Sequence, residues 1–169
     1  MNVKKLTLLA LYTTIALTIF VVESAIPTLL PIPGVKLGLA NVITLWLLMH
    51  TDWKDTLMVL LMRILLASIF AGQMVSFSYS LCGGLLCFAV MTIAIRLLGK
   101  RAIVLISILG ALFHNLGQIL IAIVILQSLS ILTYLPILAI SAVVTGTFTG
   151  LCAHFAAKKL PPSIAWPMN

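Results

Sequence analysis

Long apolar runs separated by short polar connectors make up almost the whole chain. The runs lack the strict alternation of a barrel strand, and unpaired backbone groups are costly in lipid, so each run predicts a helix. The predicted segments are 6–22, 37–50, 56–72, 77–98, 103–127 and 135–157. All but the second have roughly the 17 to 25 residues that cross a bilayer. The second either lies inside a bundle or is extended by loop residues.

Composition gives the same class. Of 169 residues, 63% are hydrophobic and 8% are charged. So few charged residues cannot provide the polar surface that a water-soluble globular protein needs. No polar linker, low-complexity tract or repeat divides the chain. We therefore predict an all-α integral membrane protein with one domain over residues 1–169, a multi-pass protein of the cell membrane in contact with lipid.

The charged residues predict an orientation. The net charge is +7, but the basic residues stand at the ends of apolar runs and form no patch, which argues against a nucleic-acid partner. Lysine and arginine are retained on the cytoplasmic side of membranes, so six spans with both termini in the cytoplasm fit best. The residues then placed in the cytoplasm are Lys4, Lys5, Lys54, Arg96, Lys100, Arg101, Lys158 and Lys159.

Arg63 stands about midway along the third predicted span. An arginine at the centre of a span costs about 2.5 to 3.5 kcal/mol on insertion scales, so it needs a partner or a wet cavity. This makes it the first candidate site residue. The alternative is a structural arginine that helix-end carbonyls satisfy.

The fifth predicted span carries a polar group in "GALFHNLGQ", residues 110–118. His114 and Gln118 are one helical turn apart, and Asn115 is three residues before Gln118, so the three predict one polar face near the middle of the bilayer. This face either lines a ligand cavity or forms an interhelical hydrogen-bond clamp. Gly110 and Gly117 beside it either admit a neighbouring helix or leave room for a ligand.

The connector "PTLLPIPGVKLGLAN", residues 27–41, is unusual in so apolar a chain. Prolines restrict its backbone and glycines allow close approach, so we expect it to be ordered against the bundle. Glu23, Lys36 and Asn41 should all lie near the outer face. An ion pair between Glu23 and Lys36 is the simpler alternative to a ligand-binding role for this lysine.

Two stripes of small residues recur at every fourth position. Ala142, Gly146 and Gly150 on the sixth span predict close packing inside the bundle. The stripe on the first span favours either internal packing or a partner in the membrane. Its members are Ala10, Thr14 and Thr18.

Catalytic motifs are missing from the sequence. It contains no phosphate-binding loop of the G-x-x-x-x-G-K-[ST] type, no H-E-x-x-H and no G-x-S-x-G. Only three acidic residues exist, and Asp52 with Asp55 form one D-x-x-D, whereas Mg²⁺-dependent diphosphate chemistry needs several carboxylates. Three cysteines lack metal-ligand spacing. We therefore expect no enzyme activity, metal or cofactor.

Four stretches together resemble a known family. They are "ESAIPTLLPIPGVKLGLANVITL", "LMRILLASIFAGQ", "FSYSLCGGLLCFAVM" and "GALFHNLGQILIA", from Glu23 to about Ala122. They resemble the Gx transporter family, also labelled heptaprenyl diphosphate synthase component I. That family is similar in size and span pattern to the substrate-binding S components of energy-coupling factor (ECF) transporters.

This resemblance implies a six-transmembrane-helix bundle of the S-component type that binds a small vitamin-like or precursor molecule in its outer half. The first loop would form a lid that includes Pro31, Pro33 and Gly34. A transmembrane scaffold and two ATPases would supply energy, and the first-span stripe would dock to the scaffold, although S components often have A-x-x-x-A there. The ligand-binding residues would be Lys36, Asn41, Arg63, His114, Asn115 and Gln118.

Two hypotheses follow. The first is a transport subunit whose Lys36, Arg63 and protonated His114 favour an anionic or strongly hydrogen-bonding headgroup. The second, which the other family label implies, is a non-catalytic membrane subunit that supports a partner enzyme in heptaprenyl diphosphate or quinone synthesis.

Overall fold

The computed structural model describes residues 3–25, 37–71 and 74–159. Within these ranges the chain forms six α-helices, and short 3-10 segments at Lys100–Ala102 and Leu129–Tyr134 precede the last two. The α-helices are α1 (Val3–Ser24), α2 (Asn41–His50), α3 (Trp53–Ala71), α4 (Met74–Leu98), α5 (Ile103–Leu126) and α6 (Leu135–Lys159). The fold is all-helical over the described residues, and each helix lies on one of the predicted segments.

The largest difference from the sequence prediction is at the start of α2. This helix begins at Asn41 instead of at residue 37, because Gly38 has a φ of +79°, which is outside the helical range. The backbone N–H groups of Asn41 and Val42 instead close a turn on the carbonyls of Gly38 and Leu39. The result is a helix of only ten residues.

Among the described residues, four helical stretches are long and apolar enough to cross a membrane by length and composition. They are α1, α4, α5 with the 3-10 turn before it, and α6 with the 3-10 turn before it. The α3 helix has 19 residues, but Lys54, Asp55 and Arg63 lower its apolar character. Exposed hydrophobic side chains cover the described helices, with Phe70 at 74% and Val124 at 71%. Such a surface would aggregate in water and is the normal surface in lipid, so this is a membrane protein.

The short α2 helix lies at the centre of the bundle and contacts each of the other five α-helices. Leu45 and Leu47 are fully buried on its two sides. Leu45 joins a core shared by α3, α4, α5 and α6, and Leu47 joins a second core with Leu9 and Tyr12 of α1. Its shortness is therefore compensated by protein contacts on all sides.

Glycines bring α4, α5 and α6 close together. A Cβ on Gly117 would lie 2.8 Å from the Cα of Gly83, and one on Gly110 would overlap the end of the Met91 side chain. On α6, a Cβ on Gly146 would lie 2.6 Å from the Cα of Ile108. The predicted packing role of the sixth-span stripe is confirmed, and the glycines of α5 admit the neighbouring α4 helix.

Candidate functional site

Arg63 is buried in the middle of α3, with 4% of its surface exposed. Its Nε and Nη2 atoms make no hydrogen bond to any described residue. It lies within electrostatic range of Glu23 and His114, but no carboxylate in the described ranges forms an ion pair with it. The helix-end carbonyls that would satisfy a structural arginine are not among its contacts in the described ranges.

His114 and Gln118 form the predicted one-turn pair on α5. The Gln118 Nε2 and His114 Nε2 atoms are 3.1 Å apart, so in this arrangement the amide donates to the ring nitrogen. Both side chains are buried, and the Gln118 Oε1 atom has no hydrogen-bond partner in the described part of the chain. One acceptor oxygen is thus left at the end of this pair.

Asn41 reaches the same layer from the start of α2. Its Nδ2 atom and the Nε2 atom of His114 lie 2.9 Å and 3.0 Å from the position that a Cβ on Gly38 would take. The Asn41 side chain is 4% exposed, and its Oδ1 atom has no partner among the described residues. Asn41, Arg63, His114 and Gln118 therefore come together as one buried group, which we call the polar layer.

Glu23 closes this layer from the end of α1. Its carboxylate accepts the N–H groups of Gly38 at 2.6 Å and of Leu39 at 2.9 Å. This role was missed in the sequence, where Glu23 was considered only as a partner for Lys36. No local spacing indicates it, because the donors lie fifteen and sixteen residues away along the chain.

Gly83 and Gly84 of α4 form the wall behind the polar layer and were also missed. A Cβ on Gly83 would lie 2.8 Å from the carbonyl oxygen of His114, and one on Gly84 would lie 3.8 Å from the Nη2 atom of Arg63. The lack of a side chain on Gly83 lets His114 approach α4, and a Cβ on Gly84 would lie at van der Waals distance from Arg63. The adjacent pair in "LCGGLL" was the available signal.

Asn115 faces a different direction from His114 and Gln118. Its Nδ2 atom donates to the carbonyl oxygen of Leu138 on α6 at 2.9 Å. The side chain also lines a small cavity of about 40 Å³ between α5 and α6. The structure therefore places it in a contact between these helices, which is the clamp geometry, and not in the polar layer.

Lys36 and the lid residues Pro31, Pro33 and Gly34 lie outside the described residues. The lid and its lysine therefore stay predictions from the sequence. The described backbone resumes at Leu37, directly beside the polar layer.

The stripe on α1 is exposed at all three positions, Ala10, Thr14 and Thr18. Both threonine hydroxyls donate to carbonyls of their own helix, so the stripe presents methyl groups outward. Ala10 and Thr14 also line a groove of about 360 Å³ between α1 and α3. The other lining residues are Leu6, Leu9, Thr13, Met58, Val59, Met62 and Leu66.

The D-x-x-D pair lies near the start of α3, away from the polar layer. Asp55 forms an ion pair with Lys5 of α1, with 2.7 Å between Nζ and Oδ2. At the same end of the bundle, the Nζ atom of Lys100 donates to the carbonyl of Met49 near the end of α2. These contacts tie the ends of the helices together.

Comparison with known proteins identifies the family. A family model described as heptaprenyl diphosphate synthase component I matches residues 12–156, which include the whole polar layer and helices α2 to α5. No curated protein and no solved structure matched the chain. The chain therefore belongs to the heptaprenyl diphosphate synthase component I family, the one that its sequence resembles.

Proposed function

We propose that this protein is the substrate-specific binding subunit of an uptake transporter of the ECF type. The subunit binds a small vitamin-like or precursor molecule in the polar layer and has no catalytic activity, metal or cofactor of its own. In this proposal its six helices form one membrane domain in the cell membrane, with both termini in the cytoplasm. The ligand reaches the layer from the outer side.

The observation that carries this proposal is Arg63. Nearly full burial of a guanidinium whose Nε and Nη2 make no hydrogen bond to a described residue is costly, because a buried charge needs a counter-charge or hydrogen bonds. A bound molecule with an acceptor group supplies what these nitrogens lack. Buried ionisable residues inside spans generally mark substrate or ion sites.

The ligand site in this proposal consists of Asn41, Arg63, His114 and Gln118, with Lys36 reaching it from the lid. Pro31, Pro33 and Gly34 shape the lid, and Asn115 supports the site from behind by fixing α5 against α6. Gly38 is the point at which the segment after the lid contacts the layer. A Cβ at this position would be 2.8 Å from the His114 ring.

The docking surface for a transmembrane partner in this proposal is the stripe of Ala10, Thr14 and Thr18 with the adjacent α1–α3 groove. Small residues let helix backbones approach closely in lipid, where packing replaces the hydrophobic effect as the driving force. Met58 and Met62, both about half exposed, line the other side of the groove, and methionine adapts readily to a partner surface. The partners are a transmembrane scaffold and two ATPases.

The second candidate is a non-catalytic membrane subunit that supports heptaprenyl diphosphate synthesis. The observation that favours it is the description of the matched family as a component of that synthase. On this candidate, the same groove or the basic ends would hold a soluble prenyl diphosphate synthase at the membrane.

Copurification separates the two candidates. Tagged protein is solubilised in mild detergent from the membranes of the cells that make it, and its partners are identified by mass spectrometry. We expect a scaffold and an ATPase pair. Recovery of a soluble prenyl synthase without the ATPases would overturn the transport proposal.

Two variants extend this test to the docking surface. Thr14→Leu fills the groove and should abolish recovery of the partners while the purified protein remains folded. Thr147→Leu on α6 is the matched control, because this hydroxyl is also bonded to its own helix. Equal recovery of the partners with both variants would mean that the docking surface does not include this part of α1.

A further inference from the structure

The Arg63 nitrogens without hydrogen-bond partners indicate the first half of a ligand, which is an anionic group. Nε and Nη2 lie on the same edge of the guanidinium, and both lack hydrogen bonds to described residues. Two parallel N–H groups match the two oxygens of a carboxylate or phosphate, and such paired bonds are roughly twice as strong as neutral ones. Glu23 is the nearby acid, but its two oxygens accept the N–H groups of Gly38 and Leu39. The Nε–Nη2 edge of Arg63 is therefore available to bind an oxyanion of a ligand.

Two acceptor oxygens of the protein indicate the second half of the ligand, which is a hydrogen-bond donor. Asn41 Oδ1 and Gln118 Oε1 are buried without a partner in the ranges that the structure describes. Asn41 is 4% exposed and Gln118 is 1% exposed. Each acceptor needs an N–H or O–H group, because a buried acceptor without a partner has lost its hydrogen bonds to water and gained none. The His114 contact orients the Gln118 amide, whose nitrogen donates to the ring.

A prenyl diphosphate, almost fully ionised at mildly alkaline pH, satisfies only the first half, since it brings acceptors and no donors. A carboxylate that also carries a hydroxyl or amino group brings both an anion and a donor. Resting on the proposed binding function, we infer that the ligand is a small hydroxy acid or amino acid. Its carboxylate binds the Nε–Nη2 edge of Arg63. A protonated amino group has three N–H bonds and donates to both Asn41 Oδ1 and Gln118 Oε1, whereas a hydroxyl has one O–H bond and donates to one of them.

Binding of four small probes tests this class. Purified full-length protein in lipid nanodiscs is titrated at mildly alkaline pH with butanoate, 2-hydroxybutanoate, 2-aminobutanoate and methyl diphosphate, and the midpoint of thermal unfolding is followed. We expect the hydroxy or amino acid to bind about tenfold more tightly than butanoate, as one added hydrogen bond predicts. Diphosphate should bind more weakly than either.

Variants assign the preference to particular side chains. Arg63→Gln should abolish binding of all the acids, whereas Asn41→Leu combined with Gln118→Leu should reduce the hydroxy and amino acids to the affinity of butanoate. Thr147→Leu on α6 is the control, because this hydroxyl bonds to its own helix outside the polar layer, and it should leave the preference unchanged.

Three results would overturn the class: equal binding of butanoate and its substituted forms, tightest binding of diphosphate, or no binding of any probe. Each of them leaves the proposed transport role to be judged separately. That role depends on copurification with the scaffold and ATPases, which requires none of these probes.

Discussion

At the scale of single residues, Glu23 and Gly38 stabilise the irregular backbone that precedes α2. Residues 37–40 are not helical, and irregular backbone at membrane depth is tolerated only where protein satisfies its polar groups. The Glu23 carboxylate does so for two consecutive N–H groups. Gly38 permits the φ of +79° and leaves room for His114. The polar layer therefore depends on a carboxylate whose two oxygens bind backbone N–H groups.

Gly38→Ala should destabilise the protein. An alanine at its φ of +79° carries about 1 to 2 kcal/mol of backbone strain. The new methyl group also meets side chains, His114 at 2.8 Å and Asn41 at 2.9 Å, which adds about 1 to 3 kcal/mol. Denaturant unfolding in detergent compares this loss with that of Gly38→Ala in a His114→Ala background, where it should be smaller. Equal losses in the two backgrounds would mean that the contact over His114 does not form.

At the scale of helices, α5 packs against α4 and α6 through two different kinds of contact. Toward α4 the contact is glycine against glycine, with Gly117 over Gly83. Toward α6 a buried hydrogen bond of 2.7 Å joins Ser107 and Thr149, and Gly146 allows the close approach. The polar side chains of α5 are therefore positioned by a rigid three-helix unit.

Gly146→Leu should separate α5 from α6. The added side chain would meet the backbone of Ile108, which cannot rotate away as a flexible side chain can. We therefore expect the free energy of unfolding to fall by about 1 to 3 kcal/mol. Val144→Leu on the same helix is the control, because Val144 is 64% exposed and should change stability by less than about 0.5 kcal/mol. Thermal unfolding in detergent compares the two. Similar stability of both variants would contradict the close packing.

The helices and the stripe on α6 were predictable from sequence because both depend on local spacing. Apolar runs in lipid have few alternatives to a helix, and small residues four positions apart share one helix face. The His114–Gln118 pair was predictable for the same reason. The bond from Asn115 to Leu138 and the role of Glu23 were not, since each depends on a residue of another element that only the folded bundle brings near.

At the scale of the whole molecule, charge is concentrated at one end of the bundle. The Lys5–Asp55 pair and the Lys100–Met49 contact join α1, α3, α2 and the turn before α5 there. Side-chain exposure at this ion pair is 33% and 12%, so the pair contributes about 1 kcal/mol or less. We expect these residues to set the orientation of the protein in the membrane more than its stability.

Single cysteines test this orientation. In a variant without the native cysteines, Ala25→Cys should react with a membrane-impermeant maleimide added to right-side-out vesicles. Lys54→Cys and Lys159→Cys should react only in inside-out vesicles, because six spans with cytoplasmic ends place both positions inside. Labelling of Ala25→Cys from the cytoplasmic side would reverse the proposed orientation. Labelling of Lys54→Cys and Lys159→Cys from opposite sides would exclude an even number of spans between these two positions.

The ten-residue length of α2 also determines how strongly membrane voltage should affect ligand binding. A helix of this length rises about 15 Å, which is about half of a hydrocarbon core of about 30 Å. In the proposed orientation, an anion that enters from outside to reach the polar layer crosses about half of the membrane potential. At 100 mV this opposes entry by about 1.2 kcal/mol per charge, half of the value for full crossing. A zwitterionic amino acid has no net charge, so its binding should be almost independent of voltage.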